Sequence, residues 1–174
     1  VIEALNGFGG PPVRWRFADG LRVRRGRLEE GGGAGVEVHA ASFARRRLII
    51  LDRALASAGG ELKRVAAHEL FHFVWLRMNN RQRREWGSLL EAERSKGELG
   101  WSAEWRRRAL APDDALLNTK SWREYVSESF SDTGAWFETG GAGDPDRRLG
   151  AKWIARRGRF MRELKSHWNG VWRI

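Results

Sequence analysis

The 174-residue chain predicts an α+β fold, with a small N-terminal twisted sheet packed on a central helix and a helical C-terminal half. Three observations carry this expectation. Over residues 13–24 apolar and polar side chains alternate with a period of two, and two further strand-like runs follow by residue 51. From Gly60 onward, apolar residues recur at intervals of three and four. Hydrophobic residues make up 41% of the chain and include ten tryptophans, enough to bury one core, so residues 1–174 read as a single domain.

Val13, Trp15 and Phe17 alternate with Arg14 and Arg16, Ala18-Asp19-Gly20 supplies turn chemistry, and Leu21 and Val23 alternate with Arg22 and Arg24. This pattern predicts a hairpin with one apolar and one cationic face. Residues 28–35 (LEEGGGAG) read as a flexible loop. Val36–Phe43 and Leu48–Leu51 read as two further strands, separated by Arg45-Arg46-Arg47.

Leu62, Val65, Glu69, Phe73 and Leu76 predict a helix from Gly60 to about Met78, stopped by Asn79-Asn80. A second helix is expected over Gln82–Lys96 with Trp86, Leu89 and Leu90 inward, and a short third follows Ser102 as its N-cap. Ser121-Trp122-Arg123-Glu124 has the spacing of a capping box and predicts a helix to about Glu138, ended by Gly140, Gly141 and Gly143. The last helix, Leu149–Trp168, places Leu149, Trp153, Phe160, Leu164 and Trp168 on an apolar stripe.

Composition excludes several classes. The longest apolar stretch, Leu70–Leu76, is interrupted by His72 and is far shorter than a membrane helix requires. Without cysteine, any metal must be held by histidine and carboxylate. The chain opens on Val1 without a signal-like segment, as a processed or excised product would, and both a cytoplasmic and a secreted location stay open. The net charge of +10 is uneven: residues 1–53 carry +4, residues 54–146 carry −2 and residues 147–174 carry +8. Such a cationic end suits an acidic partner, but 27 arginines against 5 lysines favour the plainer reading of a solvated arginine face.

The segment that carries chemistry is His68-Glu69-Leu70-Phe71-His72, an HExxH pattern in the middle of the first long helix. Two histidines four residues apart are rotated by only about 40°, so their imidazoles project side by side and can take two positions of a tetrahedral zinc. In this arrangement Glu69 accepts a proton from a zinc-bound water and later passes it to the leaving amine, while zinc polarises the scissile carbonyl. A shuffled chain of this composition would contain HExxH with a chance of roughly one percent, so context matters. Leu70, Phe71, Phe73, Val74 and Trp75 supply it, because they bury the helix, and a buried histidine pair is costly unless its nitrogens are satisfied.

A third histidine ligand in the extended pattern HExxHxxGxxH is excluded, since Trp75 and Met78 occupy the glycine and histidine positions and His39 and His167 lie far along the chain. Glu124, Glu128 and Asp132 follow one another at four-residue steps on one face of the 121–138 helix. Glu124 is accounted for by the capping box, which leaves Glu128 as the third ligand. Asp132, one turn on, is placed to accept the Nδ1 proton of a ligating histidine, foremost His68.

On these residues the sequence resembles the gluzincin branch of the zincin metallopeptidases, the thermolysin-like group: HELFH supplies the HExxH helix and Glu128-Ser129-Phe130-Ser131-Asp132 the ExxxD helix, over about residues 36–138. The resemblance implies a minimal zincin-like fold and a zinc-dependent peptidase, with substrate in a cleft and an extended peptide pairing with the edge strand Val36–Phe43. It also implies a tyrosine or histidine that stabilises the oxyanion. Tyr125, the single tyrosine, is the first candidate, ahead of His167 and His39.

Three other readings compete. A zinc hydrolase acting on a small amide shares the motif, but the deformylase form needs a cysteine ligand. A nucleic-acid-binding module would use the cationic hairpin face (Arg14, Arg16, Arg22, Arg24) and the basic C-terminal helix with Trp153 and Trp168. A latent zincin would cover its cleft with a terminal segment. The partner expected first is a peptide or protein substrate.

Overall fold

The computed structural model describes residues 5–93, 96–141 and 149–174. In chain order its strands are β1 (Phe8–Gly9), β2 (Arg14–Ala18), β3 (Arg22–Arg24), β4 (Arg27–Glu29), β5 (Val36–Glu37), β6 (Ala40–Phe43), β7 (Leu48–Asp52) and, at the C-terminus, β8 (Trp172–Arg173). The helices are α1 (Gly59–Arg77), α2 (Asn80–Glu93), α3 (Trp101–Arg108), α4 (Lys120–Thr139) and α5 (Ala151–His167). The architecture is α+β, as expected. Among the described residues, no helix is long and apolar enough to cross a membrane.

β7 is the middle strand of a three-stranded sheet of order β2-β7-β6, parallel to β2 and antiparallel to β6. Its sequence, LIILD, does not alternate because both of its faces are covered. Ile49 and Leu51 join the main core with α1, whereas Ile50 packs with Ala18 and Leu21 in a second cluster.

That second cluster explains why the expected hairpin over residues 13–24 does not form. β2 pairs with β7 instead, and the chain peels away after Ala18 so that Leu21, fully buried, can cover the outer face of the sheet. Asp52 fixes the departure: Oδ2 accepts from the Leu21 amide at 2.8 Å and Oδ1 from the Ala54 amide at 2.9 Å. β3 then pairs with β4 and β5 in a separate small sheet of order β4-β3-β5. β4 (Arg27–Glu29) thus takes Leu28 and Glu29 out of the expected loop over residues 28–35, and it is reached by a two-residue turn in which Arg25 (φ 49°) and Gly26 (φ 75°) are both left-handed. The expected strand Val36–Phe43 is split between the two sheets, and only Ala40–Phe43 lines the edge of the one that packs on α1.

α1 is buried on every side through its middle: Val65 to Phe71 are consecutive buried residues. It packs on β6 from one side and on α4 from the other. Phe71 is the hub of that second contact, edge-on to Phe8, Phe130 and Trp172 at centroid distances of 5.4, 5.8 and 4.9 Å. Burial of such a ring is worth roughly 1.5–3 kcal/mol. Gly134 of α4 lies directly against it, so a methyl group there would run into the Phe71 ring. Gly134→Ala is therefore expected to destabilise the protein by about 1–3 kcal/mol, read as a lower midpoint in chemical denaturation, by forcing apart the two helices that bear the candidate site.

Helix ends correct three further expectations. The capping box is Asn79-x-x-Gln82, not Ser121-x-x-Glu124: the Asn79 Oδ1 accepts from the Gln82 amide and the Gln82 Oε1 from the Asn79 amide, each at 2.9 Å. α4 starts earlier, capped by Thr119, whose Oγ1 accepts from the Trp122 amide at 3.3 Å. Gly100, not Ser102, is the N-cap of α3. Gly140, left-handed at φ 77°, ends α4 as expected, while Gly143 lies outside the described residues. α2 ends at Glu93, and the remainder of its expected span includes residues 94–95, which are also outside them. α5 is framed by buried Leu149 and Trp168, and β8 returns Trp172 to pair with Phe8.

Candidate metal centre

α1 and α4 meet where HExxH faces the glutamate helix. The ring nitrogens His68 Nε2 and His72 Nε2 stand 3.1 Å apart, and the Glu128 Oε2 lies 3.3 Å from the first and 3.9 Å from the second. Ligands on a tetrahedral zinc with bonds of about 2.0–2.1 Å are separated by about 3.3–3.4 Å. The three atoms thus form a triangle of the size one such ion spans. The Glu69 carboxylate is also at hand: one ligand atom from each of His68, Glu69 and His72 falls within a 4.8 Å group that could hold a metal ion. Of the two glutamates, Glu128 approaches both rings, with one carboxylate oxygen facing the two Nε2 atoms.

The outer nitrogen of each ring is engaged. His68 Nδ1 lies 2.8 Å from the Asp132 Oδ1, and the other Asp132 oxygen accepts from the Ala103 amide at 2.8 Å. His72 Nδ1 lies 3.2 Å from the Ser131 hydroxyl. With both Nδ1 positions so occupied, two imidazole lone pairs and a carboxylate converge on one point. That arrangement is repulsive unless a cation or a proton sits among them.

The electrostatics agree with that convergence. Burial disfavours protonation of His68, yet Asp132 and Glu128 outweigh it and hold the imidazole well above its ordinary pKa. Burial likewise opposes ionisation of Glu128, but its hydrogen bond to His68 and the charges of His72, His68 and Arg106 hold its carboxyl down at about 2. Both shifts favour positive charge among the acceptors, the charge that a bound metal ion would supply. The side chains of His72 and Glu128 remain 22% and 23% exposed, so one side of the triangle is open, as in sites that leave a coordination position free. If the group holds a metal ion, Asp132→Asn, which keeps the shape but removes the acceptor charge from His68, is expected to weaken its binding about 10- to 100-fold in a competition titration.

Four expected residues thus come together, His68, His72, Glu128 and Asp132, with Glu69 beside them. Glu124 does not join them, but for a different reason from the one its spacing suggested: it pairs with Arg106 at 2.6 Å and Lys120 at 3.6 Å. Tyr125 is the clear correction. It is fully buried and donates its hydroxyl to Glu98, and burial next to that carboxylate pushes its pKa far up. A hydroxyl so enclosed cannot reach a substrate oxyanion, since one residue of offset from Glu124 turns it about 100° around the helix. His167 is exposed at the end of α5, and His39 contributes a backbone carbonyl to the Asp52 amide.

Ser131 was missed, although it stands three residues after Glu128, where a helix returns to the same face. The arginines assigned to one cationic hairpin face are instead divided between two sheets, and Arg16 and Arg22 pair with Glu30 and Glu37. Trp168 is buried, and Trp153 lies between Lys152 and Arg156, whose cations stand 5.3 and 5.0 Å from its ring. No protein-family model, curated protein or solved structure matches this chain, so its functional reading rests on the geometry of the site.

Proposed function

We propose that the protein is a zinc-dependent metallopeptidase of the gluzincin kind, with His68, His72 and Glu128 as ligands and Glu69 as general base. The observation that carries the proposal is the convergence of three acceptor atoms within 3.1–3.9 Å on an open side of two packed helices. Nitrogen and oxygen donors without sulfur, tetrahedral spacing and one open position favour zinc over magnesium or calcium, which take oxygen ligands at higher coordination. When bound, zinc supplies Lewis acidity that polarises a peptide carbonyl and eases ionisation of water at neutral pH.

The chain's own residues do the rest. Asp132 holds the His68 ring in the tautomer that directs Nε2 inward, and the Ser131 hydroxyl steadies the His72 ring from the same face of α4. Glu69, next to His68 on α1 and within 4.8 Å of the ring nitrogens, stands where a carboxylate can take a proton from the attacking water and return it to the amine nitrogen of the leaving group. β6 runs along the edge of its sheet with β7 as its one partner there, so its outer backbone groups can add an extended peptide as a further strand. On this reading substrate lies between the sheet with α1 on one side and the helices that follow on the other, the arrangement the zincin resemblance implies.

Digestion of an unfolded protein substrate tests this directly. Cleavage is expected that stops with a zinc chelator and returns with added zinc but not magnesium. A zinc-loaded protein that cleaves no peptide across a varied library would leave a metal site without peptidase function.

A further inference from the structure

α4 carries two polar stripes. Glu124, Glu128 and Asp132 form one, and Tyr125, Ser129 and Thr133 form the other, each advancing by four residues and offset by one. That offset is about 100° of rotation, so whatever grips the second stripe decides where the first one points.

The grip comes from Glu98, in the connection between α2 and α3, and it is almost completely buried. Its Oε1 accepts from the Tyr125 hydroxyl; its Oε2 accepts from the Ser129 hydroxyl at 3.2 Å and from Arg157 Nη1 at 2.8 Å. Arg157, itself fully buried on α5, lies 3.1 Å from the Thr133 hydroxyl and donates to Glu93 at 2.6 Å. Five residues after Glu98, the Ala103 amide holds Asp132. One short stretch of chain thus seizes α4 at Tyr125, Ser129 and Asp132.

Stability is a poor explanation for this cluster. Buried ion pairs are often no better than apolar packing, because desolvation offsets their attraction. Here, among the described residues, Glu93 Oε2 and Arg157 Nη2 have no hydrogen-bond partner. What the cluster supplies is direction, since an apolar contact would let a helix roll. A roll of about 10° at a side-chain radius of about 5–6 Å displaces a carboxylate by about 1 Å, whereas metal ligation tolerates about 0.2 Å.

We propose that Glu98 is a positioning residue for the metal centre: its buried carboxylate locks Tyr125 and Ser129 and so sets the rotation of α4 that points Glu128 and Asp132 at the histidines. This rests on the reading of His68, His72 and Glu128 as a metal site. It also gives Tyr125 a role, as part of the lock.

Glu98→Gln and Glu93→Gln form the test. Each takes one carboxylate charge from Arg157, but Glu98 bonds to α4 and Glu93, in its hydrogen bond to Arg157, does not. Two quantities are read: zinc affinity by chelator competition, and, in the metal-free protein, the proton resonance of His68 Nδ1 in its bond to Asp132. Glu98→Gln is expected to bind zinc about 10- to 100-fold more weakly and to shift or lose that resonance, whereas Glu93→Gln keeps both as in the parent. Equal effects in the two variants, or no effect in either, would overturn the proposal. If Glu98→Gln does not fold, Tyr125→Phe and Ser129→Ala each remove one bond to α4 while keeping the charge, and both are expected to weaken zinc binding where Glu93→Gln does not. A parent that takes up no zinc refutes the metal reading on its own. The His68 resonance of the metal-free variants then decides whether Glu98 sets the position of Asp132.

Discussion

Glu69→Gln is expected to keep its zinc and to lose peptidase activity by about 10²- to 10⁴-fold, the share that a positioned general base contributes. The amide retains the size and much of the hydrogen-bonding capacity of the carboxylate but cannot accept a proton. Because Glu69 is buried in the middle of α1 next to His68, the substitution also removes a charge from the core, so folding should be preserved. Zinc content and initial rates on one substrate settle the outcome together. Loss of both metal and activity would make Glu69 the third ligand, the role its place in the His68–Glu69–His72 group also permits.

Glu128→Ala is expected to have the opposite signature, with zinc affinity falling by more than the factor of about 10–100 that loss of a partner behind a ligand causes, and activity falling with it. The reason is geometric. Glu128 Oε2 completes the triangle with the two Nε2 atoms, and without it two imidazoles are left to hold the ion. The metal-free fold should survive, since Asp132 still engages His68, and Phe130 and Val126 still bury α4. Isothermal titration of the metal-free variant with zinc measures the loss. Affinity equal to the parent's would move the third ligand elsewhere.

The candidate metal site is legible in the sequence because it follows helical periodicity. HExxH and ExxxD each place side chains one turn apart, and both segments are strongly helical, so their faces follow from spacing alone. The sheet was only half legible. The alternation at Trp15 and Phe17 correctly marked a strand, but strand pairing is a long-range choice, and Ala18-Asp19-Gly20 looks the same whether the chain turns back or crosses to another sheet. The decisive contacts, Asp52 with Leu21 and Leu21 with Ile50, join residues about thirty positions apart and leave no local trace.

Tyr125 departs from expectation because proximity along α4 does not bring its hydroxyl to the site, and the buried carboxylate that claims it comes from another segment. A clue did exist. Arg157 falls on the apolar stripe of α5 between Trp153 and Phe160, and a charge in such a register implies buried partners, here Glu93 and Glu98.

The central claim is that His68, His72 and Glu128 form one metal site, and the most direct test is zinc stoichiometry. Metal-free protein is loaded with zinc, dialysed exhaustively and submitted to elemental analysis with its concentration determined in parallel. One equivalent of zinc per chain is the predicted result. A folded protein that retains no zinc would contradict the account and reduce the buried HELFH pair to a proton-sharing contact between two helices.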